Sequence, residues 1–131
     1  MKTLAILAAS ASLSASAAMA DFSMSFSGWG NIPSCTNGSP NTVGNPAFTL
    51  NDVPPGTTQI EFRLKDLDVP NYNHGGGKMK LQVNGSVKIP AGSFKYKSPC
   101  PPSGRHTYEW TATAMKGGKA LAKASARKQY P

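Results

Sequence analysis

The chain is short of acidic residues, with 6 Asp and Glu against 14 Lys and Arg, and it holds only two cysteines and two histidines. Each scarcity excludes something. No Cys-x-x-Cys occurs, which removes a thioredoxin-like redox motif. Two distant cysteines and two histidines in unrelated contexts fall short of a zinc ligand set. The basic residues are scattered with no dense Lys/Arg tract, so nucleic acid is not an expected partner. Beyond residue 20 no apolar run is long enough for a transmembrane candidate. No internal repeat and no domain boundary is visible.

What is present begins with an address. Lys2 is followed by a Leu- and Ala-rich stretch that ends in Ala18-Met19-Ala20. Small residues at those positions suit signal peptidase cleavage. Residues 1–20 therefore read as a secretory signal peptide, with the working domain over residues 21–131 in the periplasm or outside the cell. Cleavage removes Lys2 and leaves that domain with a net charge of +7. Such a surface attracts anions. The bland reading of most of these lysines is solvated surface charge. In an exported domain Cys35 and Cys100 are expected to pair. Closing that loop stabilises the fold by about 4 kcal/mol on the chain-entropy model.

Gly and Pro are dense, 13 and 11 in the full chain, and they punctuate short alternating runs. This is a β pattern with little helix. Phe22, Met24 and Phe26 alternate with serines. Residues 28–46 are turn-rich, and residues 47–50 form a short strand. Ile60, Phe62 and Leu64 alternate with Glu61, Arg63 and Lys65, and this strand ends in Asp66-Leu67-Asp68-Val69-Pro70. Met79, Leu81 and Val83 alternate before Asn84-Gly85, a hairpin signal leading into Val87 and Ile89. Residues 90–104 read as loop. His106 shares parity with Tyr108 and Trp110, so it points to their face. Over residues 119–130 the Ala and Lys content favours helix, while Gly117-Gly118 and the preceding strand favour a closing hairpin strand, which is the preferred reading.

Three segments resemble the phosphatidylethanolamine-binding protein family, in its bacterial Raf kinase inhibitor-like branch. Asn45-Pro46-Ala47-Phe48, then Val53-Pro54-Pro55-Gly56-Thr57, a strand, and Asp66-Leu67-Asp68-Val69-Pro70 follow the family's order of a V-P-x-G-T turn, a strand and D-P-D-x-P. Cys35-Thr36-Asn37-Gly38 is similar to T-C-D-G. The run from Tyr96 through Ser98-Pro99-Cys100-Pro101-Pro102-Ser103-Gly104-Arg105-His106-Thr107-Tyr108 is similar to Y-x-G-P-C-P-P-x-G-x-H-R-Y. Thr107 stands where the family has Arg, Leu67 where it has Pro, and the chain is shorter than typical members.

The resemblance implies a mainly β, single-domain, sandwich-like fold, abbreviated here, with a small anion pocket at the edge of the sheet. Matched position by position, its wall is Asp66, Asp68, Pro101, Gly104, His106 and Tyr108. His74 is the candidate for the family's other pocket histidine. A histidine and a tyrosine hydroxyl donate well to phosphate oxygens. The two aspartates orient the histidines or accept from an ethanolamine ammonium. On the residues alone, Asp66 and Asp68 equally suit a strand-end turn with capped amides. A core-edge position is the plain alternative for His106, where the motif context favours the pocket; core packing is the simpler reading of Trp110 and suits Tyr108 as well as the pocket does.

The expected function is non-enzymatic binding of a small anionic or zwitterionic, phospholipid-headgroup-like ligand, with no cofactor and no metal. The alternative is a protein-interaction or inhibitor module acting on an envelope or secreted protein such as a protease. His74-Gly75-Gly76-Gly77 looks like a lipase oxyanion loop, but no Gly-x-Ser-x-Gly accompanies it, so catalysis is not expected.

Overall fold

The computed structural model describes residues 21–82 and 85–131. The expected signal peptide, Val83 of the expected strand and the Asn84 half of the expected hairpin turn lie outside the described residues. The described chain is mainly β. In order its strands are β1 (Ser23–Phe26), β2 (Thr42–Gly44), β3 (Phe48–Val53), β4 (Gln59–Asp66), β5 (Gly76–Lys80), β6 (Gly85–Ile89), β7 (Lys95–Lys97), β8 (His106–Lys116) and β9 (Lys119–Tyr130). Among the described residues none is helical, and no helix is long and apolar enough to cross a membrane.

Three sheets form: β1-β3-β6, the pair β2-β7, and β5-β4-β8-β9, all antiparallel. The alternation read from the sequence sets their faces. Ile60, Phe62 and Leu64 of β4 point inward, and so do Tyr108, Trp110, Ala112 and Ala114 of β8. They meet Met24 and Phe26 of β1 and Phe48 and Leu50 of β3 from the facing sheet. Aromatic contacts join the layers. Phe48 stacks on Phe62 at 4.7 Å and meets Trp110 edge-on at 5.1 Å. Trp29, just after β1, donates its indole N–H to the Gln129 carbonyl at 3.1 Å and so ties the first sheet to the edge of β9.

Several expectations need correction. The Asn84-Gly85 signal predicted that the strands on either side pair as a hairpin. They do not: β5 pairs with β4, and β6 pairs with β3 in the other sheet. The physical reason is that Phe48 and Leu50 need Ile89 and Val87 beside them to complete that sheet's inner face. β2 and β7 arise inside stretches that read as loop; each has three residues, too few to show alternation. β3 extends past residue 50 to Val53. The preferred strand reading of residues 119–130, by contrast, is borne out, because Ala122, Ala124 and Ala126 pair with Ala114, Ala112 and Trp110 on the inner face.

Two glycines let the edge of the large sheet close. A Cβ on Gly77 meets the Phe94 ring at 2.4 Å, and one on Gly76 meets the Phe62 carbonyl oxygen at 1.8 Å. Phe94 stacks on Phe62 at 5.2 Å through the space that Gly77 leaves. Gly77→Ala is therefore expected to cost about 1–3 kcal/mol by overpacking, read by denaturant unfolding. A wild-type midpoint in that variant contradicts this packing.

Candidate ligand-binding site

Counting by twos along β4 from Ile60, the fourth inward position is Asp66. A carboxylate thus ends a buried apolar row, and it is only 4% exposed. A buried charge persists only when hydrogen-bonded. Asp66 Oδ1 accepts from the Asp68 amide at 2.9 Å and the Val69 amide at 3.2 Å, and Oδ2 accepts from His106 Nδ1 at 2.7 Å. Burial pushes the Asp66 carboxyl up. The bonds from His106 and the two amides outweigh it and hold the group below the usual carboxylate range. Three donors fill three of the roughly four acceptor positions of a carboxylate.

The turn after Asp66 brings Tyr72 and His74 back to the site. Asn73 Oδ1 accepts from the Gly75 amide at 2.9 Å, and Gly75 takes a φ of 75° that glycine adopts freely. His74 is 3% exposed. Its Nδ1 donates to the Lys97 carbonyl at 2.8 Å, and the Lys97 amide donates to the His74 carbonyl at 2.8 Å. Burial lowers the His74 pKa below the ordinary histidine value, against the raising effects of the Lys97 carbonyl and Asp66. The ring is neutral at pH 7, and Nε2 is an acceptor.

A cavity of about 200 Å³ opens here, lined by Asp66, Val69, Tyr72, His74, Cys100 and Pro102, with Gly38 and Pro40 at one side. Cys35 is disulfide-bonded to Cys100, which holds the segment bearing Gly38 and Pro40 against the Cys100-Pro101-Pro102 wall. Val69 and Tyr72 are 43% and 38% exposed, the two large apolar side chains left most open on the described surface. Asp66 is the one formal charge in this lining.

The residues expected for the site are divided by the structure. Asp66 and His74 line the cavity, and Cys100 and Pro102 flank the expected Pro101. His106, Asp68 and Tyr108 support it from behind. His106 holds Asp66, its ring 6.3 Å from that of Tyr108, which bears out the shared parity. Asp68 Oδ2 accepts from the Thr107 amide at 2.8 Å and pins the turn to β8. Tyr108 is fully buried opposite Asp66 in the strand register. Asp66 and the Cys100 backbone act on its hydroxyl, whose oxygen has no hydrogen-bond partner among the described residues. Burial, and secondarily the Asp66 charge, push the Tyr108 pKa far up, so the phenol stays protonated. Pro101 and Gly104 stand outside the lining. Sequence reasoning missed Val69, Tyr72 and Pro40; the signal for the first two was their position inside the Asp-to-His turn.

Asp66, Asp68 and His106 each present a ligand atom within 4.8 Å of the others. Those atoms are already bonded to their own chain, since Asp66 Oδ2 holds His106 and Asp68 Oδ2 holds Thr107. The trio is a hydrogen-bonded buttress of the strand end. No family model, no curated protein and no solved structure matches this chain.

Proposed function

We propose that the protein is an exported, non-enzymatic binding protein for a small zwitterionic, phospholipid-headgroup-like ligand, and that the cavity at Asp66 receives the ligand's ammonium end. The observation that carries this reading is the cavity lining, whose one formal charge is the ionised Asp66. His74 Nε2 adds a neutral acceptor, while the Tyr72 ring carries the protein's own Lys97 ammonium 5.9 Å from its centroid. An inward-facing anion is disfavoured there by the carboxylate. The resemblance of the Asp66–Pro70 and Ser98–Tyr108 segments to phosphatidylethanolamine-binding proteins supports the same ligand class and a short exported member of that family. The Cys35–Cys100 bridge supports an oxidising compartment.

The test is titration of ethanolamine into isotopically labelled protein, followed by amide chemical shifts. Shifts of Asp68, Val69, Tyr72 and His74 at millimolar ligand are expected, and they vanish in Asp66→Asn. Unchanged spectra in wild type overturn the reading. A second reading, a protein-interaction module, draws on the exposed Val69 and Tyr72 at the cavity mouth. Capture of an envelope protein that Val69→Ser/Tyr72→Ser abolishes and Asp66→Asn spares would favour it.

A further inference from the structure

The basic residues are scattered in sequence, and the large sheet gathers them. On β4, β5, β8 and β9 the positions that alternate with the core row point away from the core. Six of these outward residues are basic: Arg63 and Lys65 on β4, Lys78 and Lys80 on β5, Lys123 and Arg127 on β9. All six are exposed. Two are acidic, Glu61 and Glu109, so this one face carries a formal charge of +4 out of the +7 of residues 21–131. The outward face of the β1-β3-β6 sheet differs in kind. It presents Ser23, Ser25, Thr49 and Asn51, with Lys88 as its one basic residue.

Strand register places the charges. Lys78, Glu61, Thr113 and Lys123 form one row across the four strands, and Gly76, Arg63, Thr111 and Ser125 form the next. Long basic side chains therefore stand on β5, β4 and β9, with the short, half-buried Thr111 and Thr113 of β8 between them. The result is a shallow trough along β8 with a hydroxyl floor. Glu109 interrupts that floor and is held by Arg127, Nε to Oε2 at 2.7 Å. Arg63 reaches Glu61 only at 3.9 Å. Among the described residues Lys65, Lys78, Lys80 and Lys123 take part in no salt bridge. A hollow of about 200 Å³ opens beside Arg63 and Lys78, where Gly75, Gly76 and Gly77 leave room, and Glu61 also lines it.

We infer that this face is a docking surface for a linear acidic polysaccharide, with the polymer's anionic groups on the lysines and its hydroxyls on Thr111, Thr113 and Ser125. Charge complementarity carries the choice of a polyanion. The makeup of the face carries the choice among polyanions. Its outward residues include no Trp, Tyr or Phe. Nucleic acid bases have no ring to stack on, and a bilayer has no aromatic anchor to receive. Hydroxyl side chains between the charges suit a partner that carries hydroxyls between its own charges. The surface is separate from the Asp66 cavity, since none of the six basic residues lines that cavity.

The probe is a galacturonic acid oligosaccharide at low ionic strength, with binding followed by calorimetry and by amide shifts. Shifts are expected at Lys78, Thr111, Thr113 and Lys123. Two double variants remove the same charge from different places: Lys78→Gln/Lys123→Gln from this face, and Lys88→Gln/Lys95→Gln from elsewhere. All four lysines are exposed and outside the salt bridges of the described residues, so both variants are expected to keep the fold. The first is expected to lose about tenfold in affinity, as two surface charge contacts at the upper end of their usual range would give, and the second to stay within about twofold. Raising sodium chloride weakens the wild-type complex. The methyl-esterified oligosaccharide, which lacks the charges, is expected not to bind. Equal losses in the two double variants, binding of the neutral ester, or no binding at low salt overturns the docking surface. Tighter binding to phosphatidylglycerol vesicles or to single-stranded DNA of matched charge overturns the polysaccharide as its occupant. Saturating ethanolamine is expected to leave the affinity unchanged, so this surface and the Asp66 reading stand or fall separately.

Discussion

Replacing Cys35 and Cys100 together by serine is expected to lower the unfolding free energy by about 4 kcal/mol and the Tm by about 15–20 °C. The bridge spans 65 positions of sequence, so its loss frees a large loop in the unfolded chain. The native side of the argument is local. Residues 33–39 are all exposed, and the hydrogen bonds near them are few. Thr36 and Ser39 bond each other, Thr36 Oγ1 donates to the Asn41 side chain, and the Asn41 amide donates to Ser98 Oγ. Without the bridge, Asn41 and Ser98 are left to hold Gly38 and Pro40 at the cavity wall. Thermal unfolding with and without reductant reads the effect in wild type, and the double serine variant should be indifferent to reductant. A wild-type melt that reductant does not move contradicts this account of the wall. Ligand affinity should fall with the bridge as well, because two lining residues lose their tether.

Asp66→Ala is expected to destabilise by about 3–5 kcal/mol, because it strips the partner from His106 and from two turn amides at once. Asp66→Asn separates scaffold from ligand. Its side-chain oxygen still accepts from the Asp68 and Val69 amides, and His106 can present the unprotonated form of Nδ1 to the new amide. Most of the stability should return while ethanolamine binding does not. Acid titration gives the same group a second signature. The folded Asp66 carboxyl titrates below its ordinary value of 3.8, so between those two values the unfolded chain binds more protons than the native one. Its contribution is complete above pH 3.8 and is lost as the pH falls through the depressed folded value. Denaturant melts across that window should show a drop in wild type that Asp66→Asn lacks. A parallel drop in both places the acid sensitivity elsewhere.

Much of the fold was legible because its central strands are half-buried. Ile60-Phe62-Leu64 and Tyr108-Trp110-Ala112 carry strict alternation, and each is placed as that alternation requires. The parity of His106 followed from the same rule. Strand pairing was less legible. Asn84-Gly85 is a local signal, and the demand of Phe48 and Leu50 for neighbours on the inner face prevailed over it. β2 and β7 have no sequence signature, since three residues joined by backbone bonds need little from their side chains. In the site, the motif positions led to Asp66 and His74 but gave all the matched residues one role. The structure distinguishes them. Asp68 and His106 serve as buttresses, and Tyr72 and Val69 become the mouth, because the turn from residue 66 to residue 74 folds back over the end of the core.

A structure of the protein crystallised with ethanolamine bears most directly on the account. The ammonium nitrogen is predicted within hydrogen-bond distance of Asp66 Oδ2, about 2.7–3.0 Å. An ammonium seated away from Asp66, or a cavity left without ligand at saturating concentration, contradicts it.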